Sequence, residues 1–100
     1  MQRGEVIGMC EVLAKTVEVG LIIEIVSVDR GGDEDGFYIV VLDKPGNDKR
    51  FEEYEGKDLI VTGRGNPISR IVGMREKEEV EINGSKIGIK RIVGRYEEKN

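Results

Sequence analysis

From residue 17 onward apolar side chains occupy alternate positions, Val17, Val19, Leu21, Ile23 and Ile25, with Glu18, Gly20 and Glu24 between them. Successive side chains of an extended backbone point to opposite sides, so a period of two predicts a strand with one buried face. The run FYIVVL, 37–42, is apolar at every position and predicts a strand covered on both faces, central in its sheet. Between the two lies DRGGDEDG, 29–36, whose glycines and aspartates suit a loop and join the strands as a hairpin. Further on, Asn83-Gly84 sits between two β-branched runs in EVEINGSKIGIKR. Both central residues of a type I′ turn need positive φ, and Asn-Gly supplies it, which predicts a second hairpin.

Three other stretches are less regular. In KPGNDKRFEEYEGKDLIVTG, Pro45 and Gly46 end a strand, Asp48 is placed to N-cap, Phe51 and Tyr54 share a helical face, and Gly56 is placed to terminate. This predicts a short helix over 48–55 and then a strand over 58–62. In 5–14, Val6, Met9, Cys10 and Leu13 have helical spacing, whereas Val6, Ile7 and Val12 prefer strand and Gly8 weakens a helix, so strand is favoured. Over 67–79 helix and strand both stay open, because Asn66 and Pro67 start a helix that Gly73 and the β-branched residues oppose.

Val and Ile supply 24 residues against 5 for Ala and Leu together, which favours strands throughout. The expected fold is a single domain over 1–100, mainly β with α+β as the alternative. It takes the form of a small five-stranded OB-like barrel or twisted antiparallel sheet with one short helix near 48–55. No apolar run approaches the roughly 20 residues of a membrane span, and no basic-then-apolar leader opens the chain, so a soluble, cytoplasmic protein is expected.

With one cysteine and no histidine, an intramolecular disulfide, a cysteine-caged metal and His-dependent nucleophilic catalysis are excluded within one chain. Only an oxygen-ligated ion such as calcium or magnesium suits the remaining donors. Charged residues make up 36% of the chain and Gln occurs once, a balance resembling that of proteins from thermophiles. The net charge of -4 is unevenly divided: residues 1–56 carry 6 basic and 13 acidic side chains, and 57–100 carry 10 and 7. The C-terminal half is therefore where a polyanion would be met.

Two constellations follow. GSKIGIKRIVGRY, 84–96, has Lys86, Lys90, Arg91 and Arg95 and no acid, and Arg64 and Arg70 bracket a Gly-rich turn whose amides could hold an anion. Strict alternation places Lys86, Lys90 and Tyr96 on one strand face and Arg91 and Arg95 on the other. The ordinary alternative is a solvated strand edge whose lysines discourage aggregation. The acidic loop offers Asp29, Asp33, Glu34 and Asp35 to a cation such as calcium. Set on the EF-hand register, however, its first and last ligand positions fall on Gly31 and Leu42, so the loop is first of all a turn. No histidine serves Ser27, Ser69 or Ser85 as a base, and no carboxylate pair stands out for catalysis.

The order of elements, with YEGKDLIVTGR entering the fourth strand, resembles the OB-fold over 4–95, which implies a ligand face on strands two and three. Phe37 and Tyr38 are the only stacking residues there, fewer than single-strand binding calls for. VTGRGNPISRIV, 61–72, resembles the strand-to-helix passage of the Alba family of archaeal chromatin and RNA-binding proteins. The lysine loop of that family has no counterpart in the first fifteen residues. The expectation is a non-enzymatic binding module with nucleic acid, another polyanion or another protein as partner. A calcium-binding protein or a structural subunit is the alternative, and no membrane or small-molecule substrate is indicated.

Overall fold

The computed structural model describes residues 16–97. Among them six strands form one sheet: β1 (Leu21–Val28), β2 (Glu34–Val41), β3 (Arg50–Tyr54), β4 (Lys57–Thr62), β5 (Glu79–Ile82) and β6 (Ser85–Arg95). Their lateral order is β3-β4-β2-β1-β6-β5, and the sheet is open, so the mainly β class holds while the five-stranded barrel does not form. Every pairing is antiparallel except β2 with β4. The fully apolar run of β2 is central, as expected, with β1 on one side and β4 on the other. The segment 5–14, and Cys10 with it, lies outside the described residues.

The alternating run from Val17 is interrupted. Gly20 has φ +84 and Leu21 N–H donates to Glu18 O at 3.3 Å, so the chain turns and β1 begins only at Leu21. Val17 instead pairs with the 73–74 backbone through Val17 N–H to Met74 O at 2.7 Å and Gly73 N–H to Val17 O at 2.8 Å. Both hairpins form. Asn83 and Gly84 have φ 52 and 86, the two positive values that a type I′ turn requires.

The helix expected over 48–55 is a strand. Glu55 and Gly56 take φ 51 and 80 and close a two-residue turn, pairing Tyr54 with Lys57 and Arg50 with Val61. Gly56 therefore ends a strand, not a helix. The signal was ambiguous because an edge strand buries little: Phe51 is 65% exposed, and residues 50–53 show no apolar period.

One face of the sheet carries Leu21, Ile23, Ile25, Ile39, Ile87 and Ile89, packed beneath Val17 and a 3-10 turn, Pro67–Ile71, with Ile71 fully buried. Each such side chain contributes about 1.5–3 kcal/mol on burial. The 67–79 stretch thus forms neither a long helix nor one strand. Asn66 caps Pro67–Ile71 by accepting from Ile68 N–H at 2.9 Å, and the helical path ends at Val72, whose backbone is extended. The opposite face holds Ile22, Tyr38, Val40, Leu59 and Val61, flanked by Tyr54, Val93 and Tyr96. All three tyrosines of the chain lie there, and it is called the tyrosine face below.

Candidate functional site

Glu24 interrupts the apolar run LIIEIVSV of β1 and stands at the centre of the tyrosine face, opposite Tyr38 of β2 and Arg91 of β6. A carboxylate that is 5% exposed is costly to bury unless it is paired. Here it is paired three times: Arg91 Nε lies 2.6 Å from Oε1, Lys57 Nζ 3.2 Å from Oε2 and Lys90 Nζ 3.8 Å from Oε2. Lys57 Nζ also lies 5.9 Å from the centre of the Tyr38 ring. Tyr38 meets Tyr54 edge-on at 5.0 Å and donates its hydroxyl to Glu55 at 3.3 Å. Burial pushes the Glu24 carboxyl up, but the bonds from Arg91 and Lys57 and the charge of Lys90 outweigh it, and the net displacement is below the ordinary value.

Strict alternation would keep Arg91 away from Glu24. Ile25 pairs with Ile89 and Glu24 with Arg91, so Lys90 is the extra residue of a β-bulge, and Val93 is the extra residue of a second one between Ile92 and Gly94. The first bulge turns Lys90 and Arg91 to the same face, and the intervening Ile92 returns to the opposite one. Three cations around one anion leave a surplus of two positive charges, 3 − 1, at a surface where these side chains are 44–58% exposed. Arg91 uses one of five N–H donors on Glu24, and each lysine has three, so donors remain for a ligand.

Beside this cluster is a shallow cleft of about 260 Å³, with Lys77, Glu79 and Lys90 at its sides and Val26 and Gly88 at its floor. Gly36 and Gly88 flank Val26 on the neighbouring strands, and the side chains of Lys57 and Glu79 lie over them, within 3.8 Å and 3.6 Å of where a Cβ would stand. Lys77 has φ 74, an unusual conformation for a residue with a side chain. Lys77 N–H to Ile89 O at 2.6 Å and Ile89 N–H to Glu78 O at 2.9 Å hold it there. The Glu76 carboxylate accepts from Ile92 N–H at 2.9 Å, so 76–78 covers the edge of β6 beyond the end of β5.

Of the basic residues singled out in the sequence, Lys90 and Arg91 meet at Glu24, and Lys86 lies on the same face, 3.9 Å from Glu79. Arg64 pairs with Asp43 at 2.8 Å, Arg70 donates to Glu81 O at 3.5 Å, and Arg95 stands opposite Leu21 at the far end of β6. The six therefore form no continuous strip. The amides of the Gly-Arg-Gly turn do not form an anion nest either: Arg64 N–H donates to Lys44 O and Gly65 N–H to Gly46 O. Lys57, Lys77 and Glu24 were not singled out. Glu24 had a signal, a single charge inside an apolar run, whereas Lys57 reaches it from two strands away and had none.

In the acidic loop Asp29 Oδ1 accepts from Gly31 N–H at 2.9 Å and Asp33 N–H at 3.0 Å, the self-capping of an Asx turn. Among the described residues no three carboxylates group where they could hold one metal ion; Asp29 and Asp33 belong to the turn, whereas Glu34 and Asp35, expected in the loop, already pair with Val28 and Ser27 at the start of β2. No helix among the described residues is long and apolar enough to cross a membrane. A scan against known protein families, a search of curated proteins and a search of solved structures each found no match.

Proposed function

We propose that this protein is a non-enzymatic binding module that takes the phosphates of a nucleic-acid strand on its tyrosine face. Lys57, Lys90 and Arg91 make the contact, and Lys77 stands at the adjoining cleft. The observation that carries this reading is the buried Glu24 with three cations around it, which fixes their positions and leaves two charges uncompensated. Glu24 orders side chains that would otherwise lose rotamer freedom on binding, so the cationic surface is preorganised.

The two uncompensated charges, at about 0.7 counterions per phosphate neutralised on a single strand, give a slope of log affinity on log salt near −1.4. Affinity should then fall about sevenfold between 50 and 200 mM salt. Fluorescence anisotropy with labelled 12-nucleotide RNA and DNA measures this. Lys90→Gln should weaken binding and flatten the slope by about 0.7. Glu24→Gln, by removing the internal counter-charge, should tighten it. Absence of binding at 25 mM salt, or a slope unchanged by Lys90→Gln, would sink the proposal.

A further inference from the structure

The sheet face opposite the tyrosines holds a second cavity that charge recognition at Glu24 leaves unused. A cleft of about 210 Å³ opens beside the 3-10 turn, walled by Phe37, Ile39, Ile60, Ile68, Ile82 and Ile87. It exists because the aliphatic series on this face stops short: Leu21, Ile23 and Ile25 of β1 are followed by Ser27, and Ile89 and Ile87 of β6 by Ser85. The two serines, with Asn66 and Asn83, line the cleft among its apolar walls. Asn66 Oδ1 is fixed by Ile68 N–H, which leaves its Nδ2 as a donor.

The lining contains one cation, Lys49, and no acid, in a chain with 20 acidic residues. Among the described residues nothing pairs with Lys49. A ring-sized apolar space with a single positive group and neutral hydrogen-bond donors selects a small monoanion with an apolar body. An apolar cavity of about 150 Å³ holds a benzene molecule, so this cleft has room for one ring and a carboxylate. We infer that the cleft is a binding site for a small aromatic carboxylic acid of about the size of benzoate, its ring among the isoleucines and its carboxylate at Lys49.

The test is a titration of the full chain with benzoate, followed by methyl and amide NMR signals, with benzyl alcohol and acetate as controls. Saturable shifts at Ile39, Ile60, Ile68, Ile82 and Ile87 are expected with benzoate. Benzyl alcohol should bind at least about tenfold more weakly and acetate not measurably. Lys49→Gln should bring benzoate down to the level of benzyl alcohol. Ser27→Leu, which continues the aliphatic series into the cleft, should abolish both. Absence of saturable shifts at these isoleucines up to 20 mM benzoate in the folded wild-type protein would overturn the site. Shifts confined to Glu24, Lys57 and Arg91 would overturn it too, since the ligand would then be read by the tyrosine face. Equal affinity for benzoate and benzyl alcohol would overturn the role of Lys49.

Discussion

Replacing Glu24 by Gln removes the charge on which three cations converge and changes the shape of the side chain little. The carboxylate accepts two hydrogen bonds from cations, at 2.6 Å from Arg91 and 3.2 Å from Lys57. Hydrogen bonds to charged groups contribute about 1.5–3 kcal/mol each, for a gross loss of roughly 3–6 kcal/mol. Two effects reduce it: the Gln oxygen still accepts one bond, and the cations are 44–58% exposed, so water solvates them when the anion is gone. A net cost of about 2 kcal/mol at pH 7 remains, which in a domain of this size lowers Tm by roughly 8–16 °C. The pH dependence supplies the sharper test. The folded value of Glu24 is depressed below its ordinary 4.5, so its contribution is complete above that pH and is lost as the pH falls through the folded value. Wild type and Glu24→Gln should therefore differ fully at pH 6–7, and the gap should narrow progressively as the pH falls below 4.5. Thermal unfolding followed by circular dichroism across this range measures both. An equally or more stable variant at pH 7 would mean that the cost of burying the carboxylate exceeds the gain from its partners. A gap that stayed constant from pH 7 to pH 3 would mean that ionisation of Glu24 is not its source.

Gly63→Ala should destabilise the fold by at least about 2 kcal/mol in denaturant unfolding, because a Cβ there would lie 2.8 Å from Lys44 O and closer still to Gly46 O. Asp29→Ala removes two exposed acceptor contacts in the β1–β2 loop and should cost about 0.5–1.5 kcal/mol, with no calcium-dependent component when Tm is compared with and without the ion. Lys77→Gly relieves a positive φ and should raise stability by up to about 1 kcal/mol while weakening RNA binding in the anisotropy assay, moving the two readouts in opposite directions.

Much of the sheet was legible because its signals are local. The apolar run 37–42 gave a central strand, and Asn83-Gly84 gave a hairpin through the φ values that its backbone must take. The helix expected at 48–55 failed for a physical reason: an edge strand buries too little to show a period of two, so turn-forming Gly56 read equally well as a helix stop. The acidic loop read correctly as a turn, since the side chain of Asp29 meets backbone only two and four residues away.

The candidate site was half legible. Lys90 and Arg91 stand out as adjacent basic residues, but alternation places neighbours on opposite faces, and only the bulge at Lys90 brings both to Glu24. The sequence by itself determined that this is a β protein with two hairpins, one of them a tight Asn-Gly turn, no histidine chemistry and an uneven charge, because composition and turn geometry depend on single residues and their neighbours. Which cations share a carboxylate is decided by strand register and by one inserted residue, and the parallel placement of β4 beside β2 is decided by the packing of a sheet that both faces help to bury. Those are relations between residues as far apart as 24, 57 and 91, and only the tertiary structure holds them.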